Sequence, residues 1–281
     1  MDMLKCLIKR LIGRDPRIKQ LEQELRLCQA QFEVLFSDVA TFASKSDLPK
    51  PGNVSITTEH PVAIASNDHL HPKGTKNDIT RHPRFVAALK KCLGNDLAYL
   101  DLGCSGGGLV FDFLMRGFEA YGIEGSDYSR KHKRAFWGII PDRLFTADIT
   151  KPFQLREKDG DGPKTFRVIG AWEVLEHLEA TALESFFRNV RDHLRDDGLF
   201  VASVATTDDI DPLMGINWHK TVKPKDWWIE RCAAFGFEEA EIAFAIADFP
   251  RGSGNPTSLD WNFAMNPEMG FHLVLRKRPH S

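Results

Sequence analysis

Four side chains with cation-binding and proton-transfer chemistry fall in two short segments of the chain. Glu173, Glu176 and His177 lie within five residues in AWEVLEHLEA, and His219 lies in GINWHKTVKPKDWW. Two carboxylates and an imidazole make a site for a hard divalent cation such as Mg²⁺. A second imidazole would extend it. The alternative is that Glu173 contacts a bound ligand, Glu176 caps backbone amides and His177 packs. A bound cation would lower the pKa of a chelated hydroxyl and so generate an attacking oxygen. Without a cation, His219 or His177 is the candidate general base, because an imidazole titrates near neutral pH.

These residues need elements that bring them to one edge. From Arg84 onward the sequence alternates: helix 83–93, strand 97–102, helix 107–116, strand 119–124, helix 128–137, strand 143–147, strand 166–172, helix 180–195, strand 198–204 and helix 224–235. Alternating strands and helices imply a parallel sheet with helices on both faces. Two last strands, near 237–246 and 271–276, flank the loop 248–270 and predict an antiparallel hairpin. Glu173, Glu176 and His177 then emerge where the 166–172 strand ends, and His219 follows the next strand. All four sit at the carboxyl edge.

The same edge carries a ligand-seating signature. In AYLDLGCSGGG an apolar strand runs directly into a glycine-rich turn that opens a helix. Gly103 and Gly107 are the positions where a side chain would obstruct a ligand approaching the backbone. Asp101 would orient the turn or the ligand's amino group. Glu124 closes the next strand 23 residues after Asp101, in YGIEGSD, placed to accept both hydroxyls of a ribose. That alone would also suit a dinucleotide, but Ser105 stands where the dinucleotide spacing wants its second glycine.

LDLGCSGGG resembles the first motif of class I S-adenosylmethionine-dependent methyltransferases, Glu124 their ribose carboxylate, and FTADI at 145–149 their adenine-contacting motif. The resemblance spans roughly residues 83–247. It implies a Rossmann-like α/β fold: a seven-stranded, mostly parallel sheet with an antiparallel last strand. It also implies S-adenosylmethionine as cofactor, bound by Asp101, Gly103, Ser105, Gly107, Glu124, Gly125, Asp148, Ile149 and Trp172, with Asp148 at the adenine amino group; Arg81, just before the domain, is a separate candidate for the cofactor carboxylate. Ser105 departs from the motif's usual middle glycine. EVLEH resembles ubiquinone-pathway O-methyltransferases, and ExxEH with a later His is similar to the metal-binding set of small-RNA 2′-O-methyltransferases. Glu173, Glu176, His177 and His219 are thereby implied as ligands of Mg²⁺ or another divalent metal, beside a hydroxyl that neighbours another oxygen.

The expected acceptor is a small molecule, sugar or glycan. Trp218, Trp227, Trp228 and Trp261 around the mouth would suit stacking on sugar rings. Arg251 and Phe263 of the closing loop could cover a substrate alongside Trp261. A net charge of -2 and a pI of 6.6 argue against a nucleic-acid partner. An RNA 2′-O-methyltransferase and a non-catalytic cofactor-binding scaffold are the alternatives.

Three regions are expected: a helical arm over 1–44, an irregular linker or lid over 45–82, and the catalytic domain over 83–281. Residues 45–82 hold Pro49, Pro51, Gly52, Pro61, Pro72 and Gly74, and their cluster of His60, Asp68, His69 and His71 reads as ordinary loop polar contacts. In the arm, Leu4, Leu11, Ile18, Leu25, Phe32 and Val39 recur every seven residues, a coiled-coil-like pattern that could pair two copies through 16–44. Six basic residues in 1–20 beside Leu4, Leu7, Ile8 and Leu11 could instead rest on an anionic membrane surface. No run approaches the roughly 20 apolar residues that cross a bilayer. Five scattered cysteines without a CxxC pair imply a reducing cytoplasm, with peripheral membrane contact as the variant.

Overall fold

Alternate residues of the central strands bury on opposite faces, and that alternation builds two cores. From strand β2 (Ala98–Leu102), Leu100 and Leu102 enter one core with Tyr121, Ile123, Phe186, Phe187 and Trp228, whereas Tyr99 enters the other with Phe85, Phe113, Trp137 and Val168. The continuous apolar run that a strand covered on both faces requires is thus explained. The computed structural model describes residues 51–160, 162–244 and 266–279, together with Ile18, Leu21, Leu25, Gln29, Phe32, Ile246 and Phe263.

The main sheet has seven strands in the order β4-β3-β2-β6-β7-β9-β8, with β3 at Glu119–Glu124, β4 at Leu144–Thr146, β6 at Phe166–Trp172, β7 at Leu194–Ala205, β8 at Phe237–Glu239 and β9 at Gly270–Lys277. β4, β3, β2, β6 and β7 run parallel, and β9 is antiparallel to both β7 and β8. The order reverses between β2 and β6, so their carboxyl ends open a crevice there. This is the expected Rossmann-like methyltransferase architecture, including the antiparallel closing hairpin.

The stretch expected to be an irregular lid is more ordered than its prolines suggest. Strand β1 (Val54–Thr58) pairs antiparallel with β5 (Phe153–Glu157), and two short helices follow, α1 (Asn67–Leu70) and α2 (Lys73–Asn77). Val54 is buried and Ile56 packs on the core, so VSITT carries a half-buried strand's alternation. Beyond them come α3 (Pro83–Leu93) and α4 (Gly108–Met115), as the periodicity predicts. The helix expected over 128–137 shortens to α5 (Tyr128–Lys131), because Lys133 and Ala135 take left-handed backbone angles of 47° and 48°. Helices α6 (Leu183–His193) and α7 (Lys225–Ala234) complete the layers. The arm expected over 1–44 lies outside the described residues except for five helical positions, of which Leu21, Leu25 and Phe32 are exposed. No helix among the described residues is long and apolar enough to cross a membrane.

Candidate active site

At the crevice between β2 and β6 lies a cleft of about 1140 Å³. Asp101, Gly103, Ser105, Glu124, Gly125, Asp148, Ile149 and Trp172 line one half of it, and Glu173, His177 and His219 line the other.

In the first half, a buried relay fixes the end of β2. Trp172 Nε1–H donates to the Tyr99 hydroxyl at 3.1 Å, and Tyr99 O–H donates to Asp101 Oδ1 at 2.9 Å. Burial, opposed by the Tyr99 bond and reinforced by the charges of Asp78 and Glu124, pushes the Asp101 carboxyl up to about 7. Glu124 accepts the Ser105 N–H at 2.8 Å and the Ser126 N–H at 3.0 Å, yet burial still raises it to about 7. Ser105 reaches Glu124 through left-handed backbone at φ 45°, which explains why a small residue stands there. Asp148 Oδ1 accepts both the backbone N–H and the hydroxyl of Thr150, at 2.9 Å and 2.6 Å, so this turn is rigid.

Two glycines do different work. A Cβ on Gly103, at φ 81°, would come within 2.4 Å of Val174, so this residue lets the turn pass under the β6 loop. Gly107, expected to clear space for a ligand, does not line the cleft; its added Cβ would meet Leu144 at 2.7 Å. It seats α4 on the sheet instead. Arg81 also differs from expectation. Its guanidinium grips the buried Asp112, Nη2 to Oδ1 at 2.6 Å and Nε to Oδ1 at 2.7 Å, and it is absent from the cleft wall. A fully buried carboxylate requires a counter-charge, and Arg81 supplies it.

In the second half, Glu176 organises the edge from behind. It is fully buried; Oε1 accepts the Ala205 N–H at 3.1 Å, and its backbone carbonyl accepts the N–H groups of Lys220 and Thr221 at 2.6 Å and 2.9 Å. Those bonds bring His219 over His177, edge to face with ring centroids 4.9 Å apart. His219 Nδ1–H donates to the Thr207 carbonyl, and His177 Nδ1 pairs with Asp68 Oδ2 at 3.1 Å. Each ring is left offering Nε2. Glu176 Oε2 is buried with no hydrogen-bond partner among the described residues. Glu176, His177 and His219 place one ligand atom each within 4.8 Å of one another.

Glu173, expected as a fourth ligand, stands outside that cluster. Its backbone is left-handed at φ 52°, held by its N–H donating to Ser203 Oγ at 2.9 Å. Its charge is nonetheless felt: burial, then Glu173, raises Glu176. Burial alone would lower His177, but Asp68, Glu176 and Glu173 outweigh it and raise the ring to about 9. His219 moves the other way, lowered by burial and by the charge of His177.

Asp68 is the residue that sequence reasoning missed. In sequence it reads as one of the loop polar contacts, yet α1 delivers it to His177 across 109 positions. Its only local signal is Ser66, whose hydroxyl caps α1 by accepting the Asp68 N–H. Of the tryptophans, Trp218 lines the cleft and is buried, with Nε1 lacking a partner among the described residues. Trp228 is core and Trp227 packs against it, so neither reaches the cleft. Trp261 and Arg251 lie outside the described residues. Phe263 is buried against His272.

A search of curated proteins returned no match for this sequence. Among solved structures, the 1,6-didemethyltoxoflavin N1-methyltransferase of Burkholderia thailandensis is similar at 15% identity over 75% of this chain and 84% of its own, with a TM-score of 0.50. A TehB-like S-adenosylmethionine-dependent methyltransferase from Corynebacterium glutamicum is similar at 18% identity, covering 72% of this chain and 90% of its own, with a TM-score of 0.46. At such identities the likeness to the Burkholderia enzyme shows the fold. Residues 74–235 match the family described as a methyltransferase domain. That match covers more than half of the chain and includes the Gly103 turn, Glu124 and the Glu176, His177 and His219 cluster, so the chain belongs to the methyltransferase-domain family, as a class I S-adenosylmethionine-dependent methyltransferase.

Proposed function

We propose that this chain is an O-methyltransferase that transfers the methyl group of S-adenosylmethionine to a hydroxyl lying beside a second oxygen, with a divalent cation held by Glu176, His177 and His219. One observation carries the reading. Both imidazoles have Nδ1 engaged, by Thr207 and by Asp68, Glu176 Oε2 is buried without a partner among the described residues, and one ligand atom from each of the three residues lies within 4.8 Å of the others. Oriented imidazoles backed by a carboxylate or a carbonyl are what a metal site requires. A divalent ion there supplies Lewis acidity that lowers the pKa of a chelated hydroxyl.

The chain's own residues supply the rest. The tautomer of His219 is set by the Thr207 carbonyl, and in the cation-free chain burial and the charge of His177 favour its neutral form. Without a bound cation, the Nε2 lone pair of His219 is free to take the hydroxyl proton itself; with the cation held, that lone pair is a ligand and the hydroxyl loses its proton to solvent. Alignment of the attacking oxygen with the methyl carbon accounts for most of the remaining barrier reduction in a direct displacement.

Support for a sugar-like acceptor comes from the wall beside the histidines, formed by Trp218, Lys73, Thr207, Asp208, Asp209 and Lys220. An indole N–H without a partner among the described residues and alternating acidic and basic groups suit a polyhydroxylated ring. Asp208 and Asp209 oppose the phosphates of a nucleic acid. Transfer of labelled methyl to a panel of saccharides and catechols, after dialysis against a chelator and with Mg²⁺, Mn²⁺ or Co²⁺ restored, tests the reading. Cation-dependent labelling is expected. Unchanged labelling after chelation would leave only the His219 base.

A further inference from the structure

The strand β1 and helices α1 and α2 belong to a strap that crosses the cleft and is anchored at both halves of the site. At the cofactor half, the Ala63 N–H donates to the Gly125 carbonyl at 2.9 Å, and the Ser105 hydroxyl reaches the carbonyls of Thr75 and Asp78 at 3.3 Å and 3.4 Å. Arg134 Nη2 locks the same Asp78 carbonyl at 2.6 Å. At the other half, the strap's one carboxylate on the histidine pair is Asp68, held to His177 Nδ1 at 3.1 Å and oriented by the Ser66 cap at 3.2 Å. Nine residues of chain, five of them in α2, separate Asp68 from Asp78.

Resting on the cation reading above, we propose that Asp68 is a positioning residue for the cation site, and that the strap carrying it links occupancy of that site to occupancy of the cofactor cleft. Asp68 touches neither the Nε2 atom of His177 nor Glu176 Oε2; it acts through the His177 ring. A carboxylate on Nδ1 fixes which nitrogen is presented and increases the ring's electron donation through Nε2. The same bond holds only while the strap is seated, and the strap is seated on Ser105 and Gly125, two residues of the cofactor wall. A ligand that favours the seated strap therefore favours the oriented ring. By thermodynamic reciprocity, the cation returns the same factor to the cofactor.

Mn²⁺ binding to the full chain, read by the paramagnetic resonance of free Mn²⁺ with and without S-adenosylhomocysteine, tests this. In the unaltered chain S-adenosylhomocysteine is expected to tighten Mn²⁺ at least about fivefold. Asp68→Ala is expected to weaken Mn²⁺ by about 10- to 100-fold, to abolish the coupling, and to leave S-adenosylhomocysteine affinity without cation within about twofold. Asp68→Asn retains an acceptor for Nδ1–H and is expected to restore most of the Mn²⁺ affinity, which a role confined to folding would not distinguish from alanine. Equal Mn²⁺ affinity in the unaltered chain and Asp68→Ala would overturn the positioning role. Mn²⁺ affinity indifferent to S-adenosylhomocysteine would overturn the link. Absence of Mn²⁺ binding in the unaltered chain would remove the cation reading itself.

Discussion

His177 and His219, 42 positions apart in sequence, stand edge to face with ring centroids 4.9 Å apart and hold protons with opposite strength. With no cation bound, Asp68 and Glu176 overcome burial and favour the protonated His177, and burial together with that charge favours the neutral His219. One ring thus creates the base character of the other.

If His219 accepts the hydroxyl proton, His219→Ala lowers kcat by about 10²- to 10⁴-fold. S-adenosylmethionine affinity should remain within about twofold, because His219 lies away from the Asp101 and Glu124 wall. Steady-state kinetics paired with calorimetry separate the two. A variant that lost cofactor binding and turnover together would assign His219 to the cofactor instead.

If Asp101 and Glu124 seat the cofactor, opposite pH trends follow for the empty and the loaded protein. Asp101 rises from 3.8 to about 7 and Glu124 from 4.5 to about 7, chiefly through burial. Both are raised above their unfolded values, so their contribution to stability is present at acid pH and lost as pH rises through 7. The thermal midpoint of the empty chain should therefore fall between pH 5 and pH 8 on their account. Once ionised, however, these carboxylates would accept ribose hydroxyls and attract the cofactor's positive charges. Calorimetry should show S-adenosylmethionine binding about tenfold tighter at pH 8 than at pH 6 for each group that must ionise.

Much of this wall was legible in the sequence, because a buried strand followed by a glycine-rich turn specifies both the strand end and its exposed edge. Asp101, Gly103, Ser105 and Glu124 follow from that local grammar. What escaped was set by distant partners. Arg81 reads as a free cation until Asp112 is seen buried one helix away, and Asp68 reads as a loop residue until α1 docks 109 positions downstream. Likewise, the 128–137 helix is broken at Lys133 and Ala135, between which Arg134 reaches Ser129 and Asp78. A pattern of apolar residues cannot register such a bond.

Tyr99 offers a test of how the β2 end is held. Its hydroxyl sits between the Trp172 indole N–H and Asp101. Tyr99→Phe leaves a buried donor and a buried acceptor without their partner, a cost of about 1–3 kcal/mol. Urea unfolding should report that loss. Cofactor affinity should weaken too, since Asp101 loses the bond that favours its ionised form.

Arg81→Ala separates the two roles available to that guanidinium. As a cofactor ligand, its loss would weaken S-adenosylmethionine in a protein of unchanged stability. The geometry predicts the reverse order of effects. Asp112 is fully buried and held by two Arg81 nitrogens, with the His82 N–H donating to its other oxygen at 2.6 Å. Burial already raises the Asp112 carboxyl, against the pull of Arg81. Removing the guanidinium strands this carboxylate between α3 and α4, at a cost of about 3–5 kcal/mol. Arg81→Ala combined with Asp112→Ala removes the stranded group and should recover much of that loss, which a double-mutant cycle in urea would measure. Calorimetry on the double variant completes the test. Affinity near that of the unaltered chain is expected, and a loss of tenfold or more would return Arg81 to the cofactor.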